Sequence, residues 1–460
     1  MGNAFDLFSR RLSSGRLSAS TWSLRCLFRD RAQADRLDPF DNKDSTRSLS
    51  ILIICQYFYP ENFGVNAVAA GLALRGHKVT VLTGMPNYPS GVFADGYGGW
   101  KLVRETYKNV SVIRVPIVAR GRNSRIRLAL NYFSYAVNAS LLAPFVLGDA
   151  PDVILVYQLS PVMIAIPALV VKLITRTKIL LWVQDIWPDS LVATGAITNR
   201  MIIGTVRKLV RLIYHSSSII AVQSTQFLDF IRPLTRQTED LIRYLPNTAE
   251  DYYRPIDAPL EAPERKLFRS GFNIVFAGNF GVAQDFDMLL AAINRLRERK
   301  DIQWVFIGQG RRRSWFEERI QDLGLSDTVQ LLGPFPPEEM PALFSIADVL
   351  LVSLRDEKVF SLTVPSKLQS YLACGRPILA AVSGECADII VAAEAGLVTP
   401  PNDPEGLARS ALAMAQLSRD QLNTMAKSGL EYHQREFSRD RIFEILEDWL
   451  LEISRPPAPT

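Results

Sequence analysis

Residues 51–82 read ILIICQYFYPENFGVNAVAAGLALRGHKVTVL, and this stretch decides the fold. It opens on a β-branched run, passes through a polar loop ending in Gly64, continues with apolar positions at helical spacing from Val65 to Leu74, and starts a second β-branched run at HKVTVLT. Strand, helix and strand in this order predict a βαβ unit with parallel strands. The alternation continues through VSVIRVP, DVILVY, KILLWV, SIIAV and LIRYLPN. After the turn-rich PNTAEDYYRPIDAPLEAPER it restarts with FNIVFAG, IQWVFIG, VQLLG, DVLLVS, PILAAV and GLVTP. The chain therefore reads as α/β, with two Rossmann-like halves joined near Asn247, each a doubly wound parallel sheet.

Length and composition agree with two domains. The 460 residues exceed one ordinary core, and 48% hydrophobic with 22% charged residues is a globular balance. A net charge of +5 suits phosphates or a lipid surface and falls short of a nucleic-acid footprint, so no nucleic-acid partner is expected. Cys26, Cys55, Cys374 and Cys386 form no CxxC and the three histidines are isolated, which argues against a zinc site or a disulfide framework and fits a reducing cytosol. Residues 1–47 are rich in Arg and Ser, lack a long apolar core, and read as a flexible extension rather than a secretory signal. Two stretches look membrane-like. Val153 to Ile174 is broken by Pro161 and Pro167. Ile126 to Leu147 has the length of a span but carries Asn131, Ser134, Asn138 and Ser140, and it follows the basic ARGRNSRIR; it reads either as an interfacial helix on an anionic leaflet or as a half-buried domain helix.

Ligands of doubly wound sheets bind beyond the carboxyl ends of the strands, so motifs there weigh most. Gly64 opens a helix after the first strand and lets a ligand approach its amides, although a plain βα turn reads the same way. His77 closes that helix. In the second half, Gly278, Asn279 and Gly281 precede a helix and suit a backbone cradle for a diphosphate. Gly308 and Gly310 reach the same sheet edge ahead of Arg311 to Arg313. In SLTVPSKLQSYLACGRP, Pro365 and Ser366 open a helix, Lys367 falls in its first turn and Ser370 one turn on. A lysine there opposes the helix dipole and asks for an anionic ligand. LLWVQDIWPDS (180–190) runs from a buried strand straight into Gln184, Asp185, Trp187 and Asp189; Asp189 reads as a cap of the following helix.

Together these residues resemble glycosyltransferase family 4, retaining sugar-nucleotide transferases of the GT-B fold, over about Ser50 to Ile453. The matching pieces, in order, are YFYPENFG, RGHKVTVLTGMPNYPSG, WVQDIWPDS, LPNTAEDYYRP, FAGNFG, GPFPPEEMPALFSIADVLLV, PSKLQSYLACGRPIL and EFSRDR. The pairing of GMPNYPSGVFADGY with VQDIWPDSLVATG is most similar to the transferases that add N-acetyl-L-fucosamine or related deoxyamino sugars in O-antigen and capsule assembly. The resemblance implies an acceptor domain over 48–246, a linker over 247–265, a nucleotide-sugar donor domain over 266–430, and a closing helix over 431–455 packing back on the first domain. It implies a nucleotide donor, UDP-linked, and a polyprenyl-diphosphate-linked saccharide as acceptor, in a cytoplasmic enzyme peripheral at the inner leaflet, with no cofactor and no metal.

In the site so implied, Asp185 holds the acceptor hydroxyl or the cationic sugar, Glu61 is the second catalytic candidate, and Asn87, Tyr88 and Trp187 form the acceptor wall. Gly64, Gly278, Asn279, Gly281, Gly310, Arg311, Pro365, Ser366, Lys367, Ser370 and Glu385 bind the donor. The chain departs from the family twice. The ribose-binding glutamate position falls on Ser370, leaving Glu385 to approach the donor, and Ala283 and Gln284 stand where a lysine is common. Two rivals remain open: a non-hydrolysing UDP-sugar 2-epimerase, and a catalytically inactive binding subunit of a polysaccharide assembly complex. An NAD-dependent dehydrogenase is disfavoured because no GxGxxG follows the first strand.

Overall fold

The computed structural model describes residues 47–454, apart from 123, 194, 196, 236–238, 258 and 260. The extension expected over 1–47 lies, up to residue 46, outside them, as does 455. The first sheet comprises β1 (Ser50–Ile54), β2 (Lys78–Gly84), β3 (Val103–Tyr107), β4 (Val110–Val115), β5 (Val153–Gln158), β6 (Lys178–Val183), β7 (Ile219–Val222) and β8 (Ile242–Tyr244), in the order β3-β4-β2-β1-β5-β6-β7-β8. The second comprises β9 (Phe272–Ala277), β10 (Ile302–Ile307), β11 (Val329–Leu332), β12 (Val349–Ser353), β13 (Ile378–Ala381) and β14 (Gly396–Thr399), in the order β11-β10-β9-β12-β13-β14. Strand order reverses between β1 and β5 and between β9 and β12, so each half has its ligand crevice at a defined place.

Every strand pair is parallel except β3 with β4. That hairpin is a departure from the all-parallel expectation. VRETY alternates in exposure like an edge strand, and Lys108 and Asn109 turn the chain with φ of 46° and 64°. β3 contributes Glu105, whose carboxylate lies 2.7 Å from Nε of the fully buried Arg114. Arg114 also donates to the carbonyls of Gly84 (3.1 Å) and Tyr59, so the buried guanidinium is satisfied while tying β3 to the exits of β1 and β2.

The β-branched runs become strands because both faces are covered. Leu52 and Ile54 enter one core layer and Ile51 and Ile53 the opposite one; in the second sheet Leu350 and Val352 part from Val349 and Leu351 in the same way. The helices that position the site are α1 (Gly64–Leu74), α2 (Arg125–Val146), α3 (Ile166–Thr175), α4 (Arg200–Ser216), α5 (Thr225–Ile231), α6 (Phe286–Arg295), α7 (Ser366–Ala373), α8 (Glu385–Ala392), α9 (Arg419–Glu436) and α10 (Arg439–Ser454). α2 lies on the domain, with Tyr135, Ala139 and Ala143 in the core, and among the described residues no helix is long and apolar enough to cross a membrane.

α9 stays with the second domain, so the chain crosses back at Phe437 and Ser438 rather than at 431. α10 then lays Ile442, Phe443, Leu446, Leu450 and Ile453 into the core of the first sheet. His77 fastens it: Nδ1 accepts from Leu49 N–H at 3.2 Å, so Nε2 carries the proton it donates to Glu447 at 3.0 Å. Gly71 of α1 leaves room for the Phe443 ring, which a Cβ would meet at 1.9 Å.

Candidate functional site

Around the carboxyl ends of the first sheet, the loop after β1 and the loop after β2 are joined by Glu61. Its Oε1 accepts the backbone N–H groups of Asn87 and Tyr88, both at 2.7 Å, and Oε2 accepts that of Phe58 at 3.3 Å. Burial pushes this carboxyl's pKa up, and the three N–H donors hold against that rise. Glu61 is thus a clamp between the two loops. Asn87 is likewise committed: Oδ1 accepts from Arg120 N–H (3.0 Å) and Asn131 (3.3 Å), and Nδ2 donates to the Met85 carbonyl (2.9 Å). Of the acceptor-wall residues, Tyr88 is the accessible one, 42% exposed, with its ring beside Tyr57 and Phe63 and the Arg120 guanidinium 5.0 Å from its centroid.

Asp185 follows β6. Its Oδ2 accepts from Trp187 Nε1 at 3.0 Å, and Ser160, Ser190 and the Ile186 N–H also donate to it. Burial raises its pKa, and these donors offset that rise only in part. Trp187 corrects an expectation: at 5% exposure it is a core residue, its indole shared between Asp185 and Ser160 (2.9 Å), and it offers no open wall. Asp189 begins the short helix Asp189–Ala193 and pairs with Arg207 at 3.2 Å.

In the second half the two glycine loops meet. Gly308, with φ of 133°, sits so close that a Cβ would lie 2.1 Å from the Gly278 carbonyl oxygen, and at Gly310 a Cβ would lie 2.6 Å from Asn279 Oδ1. Gly308→Ala is therefore expected to cost on the order of 1–3 kcal/mol and to lower the melting temperature by several degrees, read by calorimetry. An unchanged melting temperature would mean that the loops do not touch in this way. The cradle is narrower than the sequence suggests. The amides of Gly278, Phe280 and Gly281 already donate to Ile307, Gln309 and Asn279, leaving the exposed Asn279 as the open position.

Lys367, in the first turn of α7, reaches this loop. Its Nζ donates to Gln284 Oε1 at 2.8 Å, stands 3.8 Å from the centroid of the Phe276 ring, and lies 3.3 Å from where a Gly278 Cβ would be. Burial lowers its pKa from 10.5 to about 7, and no carboxylate pairs with it among the described residues. Gln284 thus does not replace the missing lysine; it receives the one that is there. The three arginines separate. Arg312 pairs with Asp287 (2.9 Å) and stacks on Trp315, Arg313 donates to the Gly308 and Leu332 carbonyls (2.6 and 2.8 Å), and Arg311 stays exposed.

Three residues expected at the donor site have hydrogen-bond or packing partners within the protein. Glu385 caps α5 across the interface, accepting from Thr225 N–H (3.1 Å), Thr225 Oγ1 (2.5 Å) and Gln226 N–H (3.2 Å). The Ser370 hydroxyl donates back to Ser366 (3.3 Å) inside α7. Gly64 does open α1, but a Cβ there would meet the Tyr157 hydroxyl at 2.9 Å, so this glycine is explained by packing. Pro365 caps α7 and Ser366 is exposed beside it. Among the described residues no group of three or more His, Cys, Asp and Glu side chains could hold a metal ion.

Sequence reading missed a row of amides. Gln158 ends β5, Gln184, Gln223 and Asn247 follow β6, β7 and β8, and Asn247 Nδ2 donates to Gln184 (2.7 Å) and Gln223 (3.3 Å). The signal was present as VYQ, WVQ, AVQ and LPN at equivalent strand ends.

Comparison with known proteins bears on the fold and the family. Residues 271–416 match the family Glycosyl transferases group 1. The matched segment holds both glycine loops, Lys367 and Glu385. "Probable glycosyltransferase WbjE" of Pseudomonas aeruginosa is 29% identical over 271 residues, covering 56% of this chain and 65% of that protein. WcaI of Escherichia coli K12, named for colanic acid biosynthesis glycosyl transfer, is 24% identical over 340 residues, covering 71% and 82%. Among solved structures, a glycosyltransferase from Rickettsia africae aligns with a TM-score of 0.65 at 16% identity, covering 88% of this chain and 99% of that one. Anabaena HepE in complex with UDP and glucose aligns with a TM-score of 0.62 at 15% identity over the same shares. The fold is GT-B, and the family match with the named relatives supports a glycosyltransferase.

Proposed function

We propose that the chain transfers a sugar, with retention of anomeric configuration, from a UDP-linked donor to a polyprenyl-diphosphate-linked saccharide in surface polysaccharide assembly, working at the cytoplasmic face of the inner membrane. A deoxyamino sugar of the N-acetyl-L-fucosamine kind is the donor class that the GMPNYPSGVFADGY and VQDIWPDSLVATG pairing favours. The carrying observation is Lys367: an ammonium without a carboxylate, partly buried beside two touching glycine loops at the β9/β12 crevice. Such a cation answers the charge of a departing diphosphate, and Asn279 in the adjoining loop is exposed. Across the cleft, Asp185 holds the acceptor hydroxyl or the oxocarbenium-like sugar, and Tyr88 with Arg120 forms the accessible part of the acceptor wall. The WcaI relative is named for colanic acid biosynthesis, which supports a biosynthetic glycosyl transfer here.

Purified protein is to be screened against a panel of sugar nucleotides by thermal shift, and then for transfer by mass spectrometry in the presence of EDTA. Stabilisation by UDP-sugars and transfer that survives the chelator are expected, since basic side chains and helix dipoles carry the leaving-group charge. Transfer that vanishes with EDTA and returns with magnesium or manganese contradicts this account.

Proton linkage offers a separate check. With its pKa lowered to about 7, free Lys367 is largely neutral at mildly alkaline pH, and a diphosphate favours its charged form. UDP binding is expected to take up close to one proton at about pH 8, and UDP affinity to weaken as pH rises from about 7 to about 9. Titration calorimetry in buffers of different ionisation enthalpy reads both. Proton-neutral, pH-independent binding would place the diphosphate away from Lys367.

A further inference from the structure

α2 carries a stripe that nothing in the described residues covers. Ile126, Leu130, Phe133, Val137, Leu141 and Phe145 recur every three or four positions along one face and are 75%, 47%, 61%, 36%, 63% and 84% exposed. The opposite face, with Asn131, Tyr135, Ala139 and Ala143, is buried against the domain. A stripe of this kind runs nearly the whole helix, about 30 Å at 1.5 Å per residue. It is extended by neighbours: α2 packs on α3, which exposes Leu173 and Ile174, and α3 meets α4, which exposes Met201 and Leu212. Scattered exposed leucines are ordinary on a soluble protein, but an unbroken apolar stripe along a whole helix, with further exposed apolar side chains on the helices packed beside it, marks an interaction surface.

The charge around it selects the occupant. No Asp or Glu occurs in α2, α3 or α4, and every charged side chain they carry is Lys or Arg. Arg122, Arg127, Arg200, Lys208 and Arg211 are exposed at the rim. Two copies of this chain would bring like charge against like charge, which disfavours self-association, whereas an anionic leaflet supplies both an apolar interior and the opposite charge. We infer that α2, α3 and α4 form a docking face that lies in the interface of an anionic lipid bilayer, with the α2 stripe inserted to the acyl boundary. Arg120 and Asn131, at the amino end of α2, contact Tyr57, Tyr88 and Asn87, so docking would set the acceptor side of the cleft at the membrane surface. The inference builds on the reading of a lipid-linked acceptor, and the test separates the two.

The full-length protein is to be floated with vesicles containing phosphatidylglycerol and with vesicles of phosphatidylcholine alone, in the absence of any sugar donor or acceptor. Binding to the anionic vesicles is expected, weakening as salt is raised. The double variant Phe133→Asp with Phe145→Asp is expected to lower vesicle affinity by about tenfold or more, while its exposed positions leave melting temperature and UDP affinity unchanged. Failure of the wild type to bind anionic vesicles, equal binding by the variant, or a wild-type dimer that the variant splits into monomers would overturn the inference. Those outcomes leave the glycosyl-transfer reading standing, since transfer to a water-soluble acceptor analogue needs no membrane. Loss of transfer with vesicle binding intact would sink that reading instead.

Discussion

Lys367→Ala is expected to weaken UDP binding by on the order of tenfold or more while leaving the melting temperature near that of the wild type. The sign follows from the environment of the ammonium. It faces a neutral amide and an aromatic ring, lies in the first turn of α7 where the helix dipole opposes it, and has its pKa lowered to about 7 by burial. A group held under those conditions contributes little to the free protein, because its charge is disfavoured there. Its gain comes when a diphosphate restores the charged form. Calorimetric titration of UDP into wild type and variant gives the ratio directly. Equal affinities would remove Lys367 from the donor site, whereas a large loss of stability would make it a packing residue.

The second large effect is expected at Asp185. Asp185→Asn keeps shape and most hydrogen-bonding capacity but deletes the charge, and turnover is expected to fall by on the order of a hundredfold or more with UDP affinity nearly unchanged. Trp187, Ser160, Ser190 and the Ile186 N–H all donate to this carboxylate, so the protein supports an anion there at the cost of its desolvation. The same four donors serve a purely structural anchor equally well, which is why the variant must be judged on kcat and melting temperature together. A variant that loses stability and retains turnover per folded molecule would make Asp185 a loop anchor.

The chain's periodicities were informative because burial enforces them. All six strands of the second sheet and seven of the eight in the first were legible as β-branched runs, since a parallel strand covered on both faces must be apolar throughout. β3 escaped because it is an antiparallel edge strand with alternating exposure, and only its Lys108–Asn109 turn announced it. Motifs set by backbone geometry were legible too. Gly278, Gly308 and Gly310 do converge, because close approach of two loops admits only glycine. What could not be read was which way a side chain is already committed. Glu61, Asn87 and Glu385 carry polar groups suited to a substrate, yet each meets backbone or side-chain partners far along the chain, as Glu385 meets Thr225. The amide row on β5 to β8 was overlooked for the converse reason: each Gln or Asn alone is unremarkable, and only the sheet places them side by side.

Transfer between two substrates is read by mass spectrometry and NMR of the products formed when the protein is incubated with a UDP-linked N-acetylated deoxyhexose and a polyprenyl-diphosphate-linked saccharide, each also supplied alone. The predicted result is an acceptor heavier by one glycosyl residue, released UDP in equal amount, an anomeric configuration matching that of the donor, and no reaction when either substrate is omitted. Conversion of the UDP-sugar alone into its epimer, or UDP binding without turnover across the whole panel of donors and acceptors, would contradict it.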